Sequence, residues 1–519
     1  METKTYSIFG AGAAGLYTAW RLLNGETKNP KEKTKQLGKG DKLELFDWGE
    51  YDFINKKSRA AGARVCTWHY QNDPTKSYLE LGGMRYAYWD TSKKDHNNGL
   101  APGHRLVTTV INELGLDKVS VPFNETANQL YYLRSINMYL NNISSQDPAP
   151  YNADHYAEAD SPYNGFTTIE NLAVTPTAAL KMSRRDWCKF YQKGTIKVDT
   201  GDASVFNKGD VLRDIGYWNL MFDQLGSEGF NYTADGNGYT SNIINWNSAV
   251  ALQANNEFTP GNQYKTLTTG YSSMFNGLFD SIVKLAKHKG VNFEYHPNTR
   301  LHSILQIKKV IHYNTATRKN PNKKSGKGIT DAAWLAMPRY ALDLVAQATR
   351  YQEHEGLDVL NHPKVQLYLE SSIMQPSYKV GMFFDEAWWL SSATLPPNYP
   401  AQLESYELTT KILAALGALP ENKGGFPKRY ADLLLKDLAD NPTPILNNPY
   451  VAKADIIHAI EQLVQERLTI KQEQQLTSLS ANNTIGPSVT DMPVRQVVYF
   501  GNNALDKKTK AVYGLLASY

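Results

Sequence analysis

The residues best suited to chemistry stand close to the start of the chain. Gly10, Gly12 and Gly15 spell G-x-G-x-x-G between an apolar run at 7–9 and a small-residue, Leu-containing run at 16–23. Each glycine has its own mechanical role. The first allows a tight turn, the second lets backbone approach a pyrophosphate, and the third lets helix pack on strand. With Ala13 and Ala14 they are the expected phosphate contacts, because a helix N-terminus offers unpaired N–H groups and partial positive charge to an anion. Asp47 ends a second apolar run at 43–47, where an acid accepts hydrogen bonds from ribose hydroxyls. The gap exceeds the usual spacing of about 20 residues, because 24–42 is polar, rich in Lys and Gly, and reads as a surface insertion. The other reading of Asp47 is a solvated strand end. Lys379 lies far downstream in a largely apolar run at 375–385. An ammonium is expensive to bury without partners, so this lysine is either functional or turned outward on an edge strand. The elements that must position the opening residues are a buried strand, a turn, a helix and a second strand.

Composition bounds the rest. A chain of 519 residues is too long for one compact core, so two or three domains are expected. Apolar content of 41% and charged content of 20% are ordinary for a globular protein. A net charge of +4 without a long basic run disfavours nucleic acid as partner. Cys66 and Cys188 allow at most one disulfide, so no disulfide framework holds the fold. The histidines lack metal-ligand spacing, and no metal is expected. No apolar run approaches the roughly 20 residues of a membrane span. The expected compartment is the cytoplasm, although a processed secreted chain would read the same.

Further motifs narrow the reading. Ser58 to Val65 contains the small-small-Arg turn Ala63-Arg64, and Glu80-Leu81-Gly82-Gly83-Met84-Arg85 gives E-L-G-x-M-R. With the glycine turn and Asp47, these resemble the flavin-dependent amine oxidase superfamily and, more narrowly, the L-amino acid oxidases. The resemblance implies FAD, with Ala63 and Arg64 near its pyrophosphate and ring system. Ala-Gly-Ala-Arg stands where the family more often has Gly-Gly-Arg. It further implies that Gly83, Met84 and Arg85 approach the cofactor and that Arg85 grips the substrate carboxylate. A guanidinium can form two parallel hydrogen bonds to a carboxylate, which Lys cannot; the alternative is a buried structural ion pair. By the same resemblance Lys379 holds a water near flavin N5, Tyr499 joins Arg85 at the carboxylate, and backbone at Leu301 meets adenine.

The expected architecture is α/β: a Rossmann-like FAD-binding domain assembled from discontinuous segments, a mixed-sheet substrate domain and a helical domain. The segments are 1–90 and 263–348 for FAD, 91–123 and 349–519 for substrate, and 124–262 for the helical domain and funnel loops. Helices are expected at 104–116, 177–193, 208–225, 275–289 and 340–348, and strands at 291–295, 301–304, 307–313, 332–338, 490–500 and 513–519. The aromatic, Gly- and Asn-rich stretch 229–239 either lines a substrate funnel or packs loops. Residues 314–328 read as a basic hairpin tip, and 400–483 as a helical insertion suited to oligomer contacts. Residues 266–275 resemble the family's turn back into the FAD domain.

The expected function is oxidative deamination of an L-amino acid with oxygen as acceptor, a step of amino-acid catabolism, giving a 2-oxo acid, ammonia and hydrogen peroxide. The alternatives are an amine or polyamine oxidase of the same superfamily, for which Arg85 would have no carboxylate to grip, and a non-catalytic FAD-binding protein. Side-chain selectivity stays open; Glu386 or Asp223 would suit a basic substrate. No third FAD segment of the family's kind is found in 340–519. The expected partner is therefore a second chain carrying that segment, or another copy of this chain.

Overall fold

The computed structural model describes residues 3–24, 36–59, 64–90, 103–123, 130–140, 143–144, 148–152, 161–179, 181–255, 263–351, 356–372, 374, 378–385, 488–504 and 512–518. Ala63, Glu386 and the 400–483 stretch lie outside them.

The strand Thr5–Phe9 buries Ile8 on one face and Phe9 on the other and takes parallel neighbours on both sides. The sheet runs Asn292–His296, Lys42–Phe46, Thr5–Phe9, Ala332–Leu335, all parallel, with Ile8 level with Leu45 on one side and Trp334 on the other. Helices Ala13–Asn24 and Ser272–Lys289 cover one face, where Ile8, Leu16, Leu23, Leu45, Leu278 and Ile282 form the core. The other face carries Phe9 and Phe46 against Leu301, Ile304, Tyr313 and Val345. Those residues come from an antiparallel sheet, Thr299–Ile307, Val310–Thr317 and Gly326–Thr330, and from helix Arg339–Arg350. This is the expected α/β arrangement, with strands drawn from distant parts of the chain. One carboxylate is buried within it. Glu44 accepts from Ser7 Oγ at 2.6 Å, Tyr313 Oη at 2.7 Å and Lys42 Nζ at 2.8 Å. Burial pushes its pKa up, but these donors outweigh burial and hold it below the ordinary value. Lys42 also bridges to Glu294 at 2.9 Å.

A second, mixed sheet has the order Ile136–Tyr139, Leu130–Leu133, Ser488–Thr490, Gln496–Gly501, Tyr513–Ser518, Lys379–Phe384. Only the pairing of Ser488–Thr490 with Leu130–Leu133 is parallel. Beside it, helices Asn164–Asn171, Tyr217–Gly236 and Ser248–Asn255 enclose a separate core with Phe166, Leu220, Met221 and Tyr232. Among the described residues no helix is long and apolar enough to cross a membrane.

Several elements differ from expectation. The 177–193 helix is two pieces, Pro176–Ala179 and Arg184–Lys193. The second starts afresh at Ser183, whose side chain accepts from Asp186 N–H while Asp186 accepts from Ser183 N–H. The helix expected from 208 begins at Tyr217, because Gly209 turns the chain with φ 102°. It then runs to Gly236 across a kink at Gly226. The 229–239 stretch is therefore mostly the second half of this helix, not a loop, and Tyr232 is fully buried in the core. The hairpin after Ile307 turns at Lys308 and continues to Thr317, and Gly326–Thr330 adds an unexpected third strand.

Candidate functional site

The three glycines of the opening turn meet three different surroundings. Gly10 adopts φ 113°, and a Cβ there would lie 2.3 Å from the Ala336 carbonyl oxygen. A Cβ on Gly15 would lie 1.7 Å from the Gly10 carbonyl oxygen. Around Gly12 no heavy atom of the described residues comes within 4 Å of that position. Gly12, Ala13 and Ala14 are exposed at the head of helix Ala13–Asn24. The outer two glycines are thus demanded by the fold, while the middle one faces open space that a ligand can enter. Asp47 stands next to this turn. Its carboxylate accepts from Ala11 N–H at 3.3 Å and Gly49 N–H at 2.9 Å, and burial holds its pKa above the ordinary value. Trp48 follows, with the Arg300 and Arg318 guanidiniums 5.7 and 5.1 Å from its ring centre. Leu301 is buried against Phe9 and Phe46.

The hairpin Thr67–His69 and Tyr78–Glu80 builds the second part of the site. Beyond its paired strands, Leu81 N–H donates to Cys66 O at 2.9 Å and Gly83 N–H to Arg64 O at 3.1 Å. The approach is so close that a Cβ on Gly82 would lie 2.3 Å from Arg64 O. Gly82 is therefore required by backbone contact, and Arg64 projects exposed beside it. Met84 is buried, and its carbonyl accepts from Thr266 Oγ1 at 2.7 Å. The Arg85 guanidinium stands 5.4 Å from the ring centres of both Phe123 and Tyr264. Both rings lie within cation–π range of the guanidinium.

Lys379 reaches the same place from the second sheet. Its strand is at the sheet edge, but the side chain turns inward and Nζ donates to Gly82 O at 2.6 Å. The face is fixed by packing: Gly381, two residues on, leaves room for Leu79, whose Cδ1 would lie 2.6 Å from an added Cβ. Burial lowers the Lys379 pKa to about 8; Glu80 opposes that shift and Arg85 adds to it. Arg85, Lys379 and the Gly82–Gly83 backbone are thus brought together.

Tyr499 is not brought to them. Val498 and Phe500 face Leu79, Met84 and Leu516, so the residue between them faces the opposite side of the sheet. There the Tyr499 and Ser488 hydroxyls share a hydrogen bond of 2.7 Å. The expected partnership of Tyr499 with Arg85 is corrected by this placement. Asp223 is likewise committed, to Ser204 Oγ and to Val205 N–H at 2.9 Å, as a local loop anchor.

The motif contains one further residue of consequence. Glu80 is 1% exposed. Its Oε1 accepts from Tyr271 N–H at 2.6 Å, and Thr67 Oγ1 lies 3.1 and 3.0 Å from its two oxygens. Thr67 in turn accepts from Ser272 N–H at 2.9 Å. These bonds fasten the hairpin to the head of helix Ser272–Lys289. Burial dominates and raises the Glu80 pKa to about 8. A carboxylate between Leu79 and Leu81 in a strand was the available sequence signal.

No family model matches the chain. It is 24% identical over 409 residues to achacin of Lissachatina fulica, covering 76% of this chain and 63% of achacin. It is 23% identical over 258 residues to aplysianin-A of Aplysia kurodai, covering 49% of this chain and 35% of that protein. The chain thus spans less than two thirds of either relative and is distantly homologous to both. Among solved structures, a redesigned putrescine oxidase variant matches with TM-score 0.42 and 10% identity over 75% of this chain and 67% of that one. Cyclohexylamine oxidase of Brevibacterium oxydans matches with TM-score 0.42 and 12% identity over the same shares.

Proposed function

We propose, on the premise of the distant kinship with achacin and aplysianin-A, that this chain is a FAD-dependent oxidase acting on L-amino acids. The products are a 2-oxo acid, ammonia and hydrogen peroxide, with oxygen and water consumed. The observation that carries the reading is the meeting of Arg85 and Lys379 at Gly82–Gly83, a cationic corner on a buried hairpin. The residues fit the cofactor: Gly12 leaves backbone open between two glycines the fold fills, and Asp47 stands against the same turn. Gly10, Gly12, Ala13, Ala14 and Gly15 would receive the pyrophosphate, Asp47 a ribose, and Arg64 with the Gly83–Met84 backbone the ring end.

The chemistry supplied by bound flavin is that of a two-electron acceptor reoxidised by oxygen. The protein's own part is orientation. Arg85, steadied by Phe123 and Tyr264, would take the substrate carboxylate in a two-pronged hydrogen bond. Fixing that end places the Cα–H, a proximity effect rather than acid–base catalysis. Lys379, anchored to Gly82 O, would hold a water or a proton close to the reacting centre. The substrate amine must be neutral to be oxidised, so turnover rises towards alkaline pH.

The test is a panel of L-amino acids, their D-enantiomers and simple amines, read by peroxide release from yellow, flavin-loaded protein. Amine oxidation without any L-amino acid oxidation would sink the substrate class. Failure to take up FAD would sink the whole reading.

A further inference from the structure

We propose that the outer face of helix Arg339–Arg350 is a dimer interface, and that its occupant is the same helix of a second copy of this chain, laid antiparallel about a two-fold axis. The proposal is independent of the reading of the flavin site. Val345, Ala346 and Thr349 bury the inner face of the helix. Opposite them Tyr340, Leu344, Gln347 and Tyr351 form an exposed stripe, and its three large apolar members are 55–85% exposed. An apolar stripe at helical spacing ordinarily faces a core; this one faces outward. Helix Pro363–Glu370 runs antiparallel alongside. There Arg339 Nη1 donates to the Glu370 and Ser372 carbonyls at 3.2 and 2.8 Å, and Asn361 Nδ2 donates to Ala346 O at 2.9 Å. It adds the exposed side chains of Leu367 and Tyr368. Clustered apolar surface of this kind marks a contact site.

The occupant follows from self-complementarity. The stripe steps by four, three and four residues, so it reads the same in both directions. A two-fold axis at its midpoint sets Tyr340 of one copy beside Tyr351 of the other, and Leu344 beside Gln347, an isologous contact. The flanks obey the same symmetry. At about 3.6 residues per turn and 1.5 Å per residue, Asp343 and Arg350 share one flank, and the axis brings Asp343 of each copy within about 3 Å, along the helix, of Arg350 of the other. Opposite charges therefore meet twice. Asp343 is partly exposed, 3.6 Å from Arg339 Nε. Arg350 donates to Asn361 Oδ1 and has further N–H groups in its fork. Ala341 and Ala348 share the other flank, and small residues let helix axes approach to about 8 Å. A lipid surface fits less well, because Asp343 and Glu370 put negative charge at the patch edge, where anionic headgroups repel it.

The experiment is sedimentation velocity on the full chain as purified, over a concentration series. Wild type is expected to sediment as a dimer, twice the 58.3 kDa of one chain. Leu344→Glu sets a carboxylate against the apolar stripe in both copies, so the dimer Kd should rise roughly a hundred-fold or more. Leu344 is exposed in the single chain, so its replacement leaves the fold intact. Tyr351→Lys, at the most exposed position of the stripe, is expected to act the same way and replaces Leu344→Glu if that variant does not fold. Asp343→Arg and Arg350→Asp should each raise Kd about tenfold, and the two together in one chain should return it to within about threefold of wild type, because the charges are exchanged across the axis. A monomeric wild type overturns the proposal, and flotation of that monomer with mixed neutral and anionic phospholipid vesicles would assign the face to a membrane instead. A dimer that withstands both Leu344→Glu and Tyr351→Lys also overturns it, since the copies then meet elsewhere. A double charge variant no tighter than either single one overturns the antiparallel arrangement.

Discussion

Replacing Gly12 and Gly15 one at a time separates folding from cofactor binding. At Gly15 an added methyl group would sit 1.7 Å from the Gly10 carbonyl oxygen and 3.3 Å from the Ile8 side chain. The nearest obstacle is backbone within the turn itself, so strand and helix must move apart. Overpacking of this kind costs about 1–3 kcal/mol. With each kcal/mol lowering Tm by roughly 2–4 °C in a domain of this size, Gly15→Ala should unfold roughly 2–12 °C earlier. At Gly12 the same methyl group meets no described heavy atom within 4 Å, and the backbone is not in the left-handed region. Gly12→Ala should therefore be neutral or gain about 0.4–1 kcal/mol by restricting the unfolded chain. Yet that methyl group stands where backbone must approach a pyrophosphate. Losing one hydrogen bond to a charged group costs about 1.5–3 kcal/mol, so the Kd for FAD should rise roughly ten- to a hundred-and-fifty-fold. Thermal scans of the protein without cofactor measure the first quantity, and titration of that protein by flavin fluorescence measures the second. A Gly12→Ala protein that binds FAD normally, beside a Gly15→Ala protein of unchanged Tm, would refute the division of labour.

The remaining expectations test other parts of the molecule. Arg85→Lys loses the two-pronged grip, so kcat/KM for L-amino acids should fall roughly ten- to a hundred-and-fifty-fold on the roughly 1.5–3 kcal/mol of a charge-assisted bond, while Tyr499→Phe, acting on the opposite sheet face, should leave KM unchanged; steady-state kinetics on both variants decides. Glu44 has its pKa depressed by its donors in the fold, so its contribution is present above its unfolded pKa and lost as pH falls through the folded value. Tyr313→Phe should weaken that contribution, costing about 1–3 kcal/mol, and narrow the stability gap to wild type in acid unfolding curves. The expected partner is tested by denaturing electrophoresis and native mass of active protein: a single chain active as a monomer would overturn both a second chain and a second copy.

The opening strand, turn and helix were legible because glycine spacing and flanking apolar runs state one consistent local structure. The discontinuous sheet was legible only through resemblance, since nothing local links residue 9 to residue 335. Composition misled where packing outweighed propensity. Gly229 to Tyr239 reads as loop, but Tyr232 is buried and Gly236 would clash with Pro162 at 2.5 Å if it carried a Cβ, so a core holds the stretch helical. Tyr499 failed for a different reason. Which face a strand residue takes depends on register, and a slip of one residue reverses every side chain; no sequence signal sets Tyr499 against Lys379 across the intervening strand Tyr513–Ser518. Glu80 was visible as a letter of a motif, but its role depends on Thr67 and Tyr271, which come from other stretches.

The dependence of Gly10 on Ala336 also has a consequence for synthesis. The turn is backed by the Ala336 carbonyl, and Ala336 N–H donates to Phe9 O at 2.9 Å. A ribosome adds roughly 5–20 residues per second, so the first strand waits on the order of a quarter of a minute to a minute for that neighbour. During that interval the strand has one side unpaired. The glycine turn, translated well before Ala336, cannot close until that residue is made.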